Sequence, residues 1–250
     1  MDSIALTLSI PNNPMRRLMA ITQYSAPSDG ATERATTGWR AMKNRLDKAN
    51  SFFELPLALR SRVMILVAVI ALAPAFLFPL WNMTFTSNQY LDGLTLNIYS
   101  HRLEGGKTPA RDDLREINAL NHYIGMRPLL ESDFSEFVWI PFVIGALAVL
   151  ALRAMVIGKM SNLVDVFVIF SYFGLFSFWS FYNRLYAYGH NLDPMAAIKV
   201  APFTPPLIGR QVVGNFTVTS SPGTASFMLV TFALLLLTAI FLSRRANQGA

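Results

Sequence analysis

Apolar residues fall in four long runs along this chain, and each approaches the roughly 20 residues a helix needs to cross a bilayer. The runs cover about Val63 to Trp81, Phe137 to Gly158, Asn162 to Tyr182 and Ser226 to Leu242. They predict an all-α integral membrane protein of four transmembrane helices. Two longer polar segments separate them, about Asn82 to Glu136 and about Asn183 to Gly223, whereas the connection at Lys159, Met160 and Ser161 is only a turn. The expected organisation is a flexible basic cytoplasmic tail over residues 1–50 and a four-helix membrane domain over residues 51–250, with two structured outer segments. Pro74 and Pro79 in the first run predict a kink or packing site, and Arg153 near the end of the second can snorkel toward water.

The tail region has no apolar periodicity from Ser25 to Thr37, and nine Lys or Arg stand against five acids up to Arg62. A cleavable signal peptide reaches its apolar run within about 30 residues, so a first run starting near Val63 predicts a retained span. Phe52, Phe53, Leu55 and Leu57 beside Arg60 and Arg62 suit the headgroup layer as a lead-in to that span, with an ordinary juxtamembrane flank as the alternative.

Charge fixes the expected orientation. The segment from Asn82 to Glu136 carries five basic residues and eight acids, a net of −3, while the elements on the other side are net positive. The positive-inside rule then places both termini in the cytoplasm of a bacterial inner membrane, with the two outer segments periplasmic. The formal charge of +6 therefore reads as topology, and no nucleic-acid partner is expected. A chain that is 53% hydrophobic and 14% charged excludes a soluble enzyme and a coiled coil, and its natural partner is the lipid bilayer. The absence of cysteine excludes disulfides, thiolate metal sites and iron–sulfur clusters. The two halves show no repeat of the kind many transporters carry.

The outer segments have their own signals. In TPARDDLREINAL, Thr108 is placed as a helix N-cap, Pro109 at the first helical position, and Asp112 and Asp113 at the positive end of the dipole. Leu114, Ile117 and Leu120 would share one face, and Gly125 and Pro128 would end the helix with His122 in its last turn. Prolines 194, 202, 205 and 206 predict an extended, rigid loop in the second segment.

All three histidines, His101, His122 and His190, fall in these outer segments together with Met83, Met126 and Met195. Imidazole with thioether suits Cu(I) where thiolate is unavailable, which makes His122, Met126, His190 and Met195 candidate copper ligands. The alternative is that the histidines hydrogen-bond loop carbonyls and the methionines fill packing gaps. Asp165, near the start of the third run, reads as an interfacial carboxylate, with proton or ion handling as the alternative. GGKTP resembles the end of a P-loop, but His101 stands where a glycine is required, so no nucleotide is expected. The aromatic series of the third run, from Phe167 to Tyr182, reads as packing and belt residues, with contact to a pigment, quinone or partner subunit as the alternative. No pair of histidines lies within the spans to hold a haem, and neither Gly-x-Ser-x-Gly nor His-Glu-x-x-His occurs.

The strings NHYIGMRPL (Asn121 to Leu129) and GHNLDPMAAIKVAPFTPPLIG (Gly189 to Gly209) resemble those of membrane proteins associated with nitrous-oxide reductase maturation and periplasmic copper delivery. The resemblance covers roughly residues 85 to 243 and leaves out residues 1 to 50. It implies a role in supplying or assembling a periplasmic copper centre, with His122, Met126 and His190 as nominees. The resulting expectation is a non-enzymatic membrane accessory protein that presents an outer surface to a membrane or periplasmic protein partner. The alternative is a structural or assembly subunit of a respiratory or photosynthetic complex, without a cofactor of its own.

Overall fold

The computed structural model describes residues 29–109 and 111–248, in two units that divide between Ser51 and Phe52. Helix α1 spans Asp29–Glu54, so this part of the expected flexible tail is helical. Good helix formers dominate from Ala31 to Lys48, and their propensity outweighs the Thr and Gly residues among them. The earlier part of that tail, residues 1–28, lies outside the described residues.

The second unit contains α2 (Leu59–Leu72), α3 (Asp113–Tyr123), α4 (Glu136–Ile157), α5 (Met160–His190) and α6 (Thr224–Gln248). Four helices are long and apolar enough to cross a membrane: Leu59–Phe76, which is α2 plus a 3-10 turn, and α4, α5 and α6. The 3-10 turn begins at Ala73, where Pro74 withholds the N–H that a continued α-helix needs. Trp81, expected at the end of the first span, instead opens a strand.

The protein is not all-α. Strands β1 (Trp81–Ser87), β2 (Tyr90–Ile98), β3 (Leu103–Gly105), β6 (Gly209–Val213) and β7 (Phe216–Pro222) form one antiparallel sheet in the order β3-β2-β1-β7-β6. The short strands β4 (Lys107–Thr108) and β5 (Arg111–Asp112) pair separately. Alternation explains the sheet: Trp81, Met83 and Phe85 face one way in β1, and their partners Ile98, Leu96 and Leu94 in β2 share that face. Thr and Asn occupy the intervening positions. The proline-rich second segment is thus an extended loop only as far as Ile208, after which β6 and β7 form a hairpin around Gly214 and Asn215.

The central strands grow directly out of two spans, because β1 follows α2 and β7 precedes α6. Their junction is closed by Gly223 N–H donating to the Leu80 carbonyl (2.8 Å), Ala225 N–H to that of Pro79 (3.0 Å) and the Ser226 hydroxyl to that of Leu80 (2.6 Å). A side chain at Gly223 would run into the Pro79 carbonyl. At the opposite end, which carries the start of α2, small side chains are buried among larger ones such as Met160 and Leu163. Ala151, Ala154 and Ala239 are fully or almost fully buried there, Ala68 is buried midway along α2, and the buried Ser243 hydroxyl donates to that of Ser61 at 2.7 Å.

Helix α5 has 31 residues and is therefore about 46 Å long, against a hydrocarbon core of about 30 Å. Its surplus length reaches the sheet, where Leu185 joins Met83, Leu94, Leu96, Leu103, Ile117 and Val218 in a second core. Helix α3 covers the same face. Asp112, not Thr108, is its N-cap, with the carboxylate accepting from the N–H groups of Leu114 (3.1 Å) and Arg115 (3.4 Å). Thr108 belongs to β4, because this hairpin delays the helix start by several residues. The buried Asp113 ties α3 to β2 by accepting from Thr95 N–H (2.9 Å), the Thr95 hydroxyl (3.1 Å) and Arg111 Nε (2.7 Å).

Candidate functional site

A cavity of about 990 Å³ lies where the spans meet the sheet. One wall is the apolar sheet face with α3; the other is built from the sheet-side halves of α4, α5 and α6. Its existence follows from side-chain size. Aromatic rings mediate contacts between these helices, with Trp139 edge-on to Phe173 (6.0 Å, 87°) and Phe170 against Phe232 (5.2 Å, 61°). Rings at such positions hold helices farther apart than alanines do. Along α5, Phe170, Gly174, Ser177, Phe178 and Phe181 recur on one face and line the space.

The lining is almost entirely apolar, with a few polar groups placed within it. Glu136, at the start of α4, accepts two hydrogen bonds from Arg184 of α5, from Nε at 3.0 Å and Nη2 at 3.1 Å, and a third from the Ser180 hydroxyl at 2.8 Å. The Arg184 guanidinium also lies 5.6 Å from the Phe134 ring centre, and the Tyr188 ring stacks parallel to Phe134 at 5.9 Å and 3°. Ser177 is different. Among the described residues its hydroxyl oxygen is buried without a hydrogen-bond partner, whereas Ser171, Thr231 and Thr238 donate to carbonyls one turn back, at 2.7–2.8 Å. A buried hydroxyl left unsatisfied costs about 1–3 kcal/mol, and rotation toward the carbonyl one turn back, the bond that Ser171 makes, would relieve it.

Of the four nominated copper ligands, His122 and His190 lie in the last turns of α3 and α5, and Met126 and Met195 in the segments that follow them. The segments carrying them are joined by backbone hydrogen bonds from Asp193 N–H to the Gly125 carbonyl (2.8 Å) and from Ile198 N–H to that of Tyr123 (2.9 Å). Gly125 makes this approach possible: it has φ 78°, and a Cβ would press on the Asp193 carbonyl and the Ala196 side chain. His122 is exposed in the last turn of α3, and Met126 is half-buried and lines the cavity. His190 ends α5, with its ring stacked on Tyr186 at 3.8 Å and Nδ1 3.0 Å from the Tyr186 carbonyl. Met195 is 88% exposed, so the two methionines occupy different environments. No group of three His, Asp or Glu side chains suited to a metal occurs among the described residues.

His101 stands apart in the turn after β2, beside Ser100 (3.4 Å) and Arg102 (3.1 Å). Asp165 is exposed in the second turn of α5, and Lys107 of the GGKTP string is exposed in β4. Sequence reasoning missed Glu136, Arg184 and Ser177. Two opposite charges immediately outside two expected spans were the available signal for the ion pair, but their pairing depends on α5 continuing through residue 190. Nothing in the sequence distinguishes Ser177 from the serines around it.

No family model, curated protein or solved structure matches the chain.

Proposed function

We propose that this protein is a non-enzymatic membrane accessory protein that holds a lipid-soluble amphiphile between its spans and its sheet. The single observation that carries the reading is the apolar cavity of about 990 Å³ between the spans and the sheet. Its size lies at the upper end of ligand pockets, which pair apolar walls with a small number of polar groups that fix orientation. An apolar chain fits the aromatic lining, and a polar head fits the few polar groups set within it. The Glu136–Arg184 pair, joined by two hydrogen bonds and braced by a third from Ser180, supports a role in holding α4 to α5.

Gly174 provides the test, because it lines the cavity and a Cβ there meets nothing within 4 Å. Native mass spectrometry of detergent-purified protein should find an amphiphile bound near stoichiometrically, and Gly174→Phe should remove it while leaving the fold intact. Equal retention by wild type and Gly174→Phe would contradict the reading.

A second reading is Cu(I) handling on the adjoining loops. It is favoured by the backbone bonds that bring the His122–Met126 and His190–Met195 segments together. Because a carbonyl only accepts, Nδ1 of neutral His190 carries the proton, leaving Nε2 with a lone pair for a metal. Anaerobic Cu(I) loading of wild type and of the His122→Ala, His190→Ala double variant tests it; equal copper-to-protein ratios would refute it. We propose, with either reading, that the sheet is periplasmic and both termini cytoplasmic, which reporter fusions at the termini would check.

A further inference from the structure

Helix α1 carries a stripe that neither the cavity nor the loops use. Trp39, Met42, Leu46, Ala49 and Phe53 follow one another at alternating spacings of three and four, covering a sector about 80° wide at 100° per residue. Trp39 is 68% exposed and Leu46 56%, so the stripe has no cover within the described structure. Lys43 and Arg45 flank it on opposite sides, each about 80° from its centre. From Arg34 to Lys48 there are five bases and one acid, Asp47.

Connectivity identifies the surface that meets this stripe. Helix α1 ends at Glu54 and the first span begins at Leu59. The intervening residues are fastened to the turn between α4 and α5 by Leu57 N–H donating to the Gly158 carbonyl (2.7 Å) and Met160 N–H to that of Leu55 (2.9 Å). That same end of the spans presents Arg60, Arg153, Lys159, Arg244 and Arg245, all exposed. The C-terminal end of α1 is thus held at a cationic rim, at the depth of lipid headgroups.

We propose that α1 is an interfacial helix that binds the anionic surface of the leaflet on this side, burying Trp39, Met42, Leu46 and Phe53 among the acyl chains. Lys43 and Arg45 then reach phosphates from either flank, as cationic side chains beside an interfacial apolar face do. Arg40 and Lys48 add long-range attraction to an anionic leaflet. A strict stripe of this spacing also suits a helical partner, but the flanking bases and the tether to the span favour lipid.

The chain has no cysteine, so one substitution gives one labelling site. Full-length protein carrying an environment-sensitive fluorophore at Leu46→Cys, or on the opposite face at Asn44→Cys, is placed in nanodiscs of phosphatidylcholine with or without phosphatidylglycerol. The label at 46 should be blue-shifted and quenched by nitroxide lipids when phosphatidylglycerol is present, and the label at 44 should remain in water. Changing Arg40, Lys43, Arg45 and Lys48 together to Gln should lower the ratio of bound to free helix about tenfold or more. Gln keeps helix propensity close to that of Lys and Arg, so the loss would not reflect melting of the helix. Equal quenching at both positions, or quenching indifferent to phosphatidylglycerol, would overturn the proposal. Rapid disulfide formation between two Leu46→Cys chains would also overturn it, by assigning the stripe to a second copy.

Discussion

The two ends of the spans solve the same packing problem with different side chains. At the end near the start of α2, Ala151, Ala154, Ala239 and the Ser61–Ser243 pair are buried between helices beside Met160 and Leu163, the Ser243 hydroxyl donating to Ser61 and accepting from Ala58 N–H. At the sheet end, Ala75 and Ala225 are also buried, but rings meet between α4 and α5 and between α5 and α6, and the sheet roofs the space beside them. Close packing serves as the scaffold; the separation creates room for a ligand. The contrast teaches that in an apolar environment, where burial from water cannot distinguish one helix contact from another, residue size decides where a chain is solid and where it is hollow.

The largest expected effect tests whether the roof is an independent construction. Asp113 is a buried carboxylate on which Thr95 and Arg111 converge, and Asp113→Ala should cost about 3–5 kcal/mol by leaving Arg111 and the strand donors unpaired. Hydrogen exchange should then rise across β1–β3 and α3 while the spans stay protected. Equal loss of protection in α2 and α6 would show that the two ends do not behave separately.

The next pair sharpens the contrast in volume. Ala154→Leu in the solid end should destabilise by about 1–3 kcal/mol through overpacking. Gly174→Phe in the hollow end should be neutral or stabilising, with helix propensity alone favouring it by about 0.5 kcal/mol. Thermal unfolding in one detergent ranks the two, and the reverse order would refute the division into solid and hollow ends.

How much of this is legible in the sequence depends on the length scale of each signal. The spans are readable because about 20 apolar residues in a row suit little besides a bilayer. The sheet is not, because each strand is short and its alternation begins where an apolar run ends: Trp81 reads equally well as the last residue of a span and the first of a strand. The helix over Asp113–Tyr123 and its end at Gly125 are readable from local chemistry, while its cap moves to Asp112 because the β4–β5 pairing consumes Thr108. The joining of the two His/Met loops needs the fold, since residues 123 and 198 meet only after α4 and α5 have crossed and returned. The cavity is the least legible feature, because it depends on several rings at once and on no single residue.

The smallest expected effect concerns the rim of the roof. The Tyr90 phenol donates to the Glu116 carboxylate at 2.9 Å, and this bond, reinforced by burial and by the Glu116 charge against the opposing pull of Arg111, raises its pKa above the ordinary value of 10.0. A raised pKa means that the folded state holds the proton more tightly, so the contribution is complete below about pH 10 and fades as pH climbs through the folded value. Tyr90→Phe should cost about 1 kcal/mol at neutral pH, and the gap from wild type should close at strongly alkaline pH. A gap independent of pH would remove Glu116 as the cause.

The central claim is that the space between sheet and spans is filled by an amphiphile, and a cryo-electron microscopy map of the protein in nanodiscs of native lipid tests it most directly. The account predicts elongated density between the α5 face at Gly174 and Ser177 and the strand β1 at Met83. A map in which Phe170, Phe178 and Met83 close on one another would contradict it.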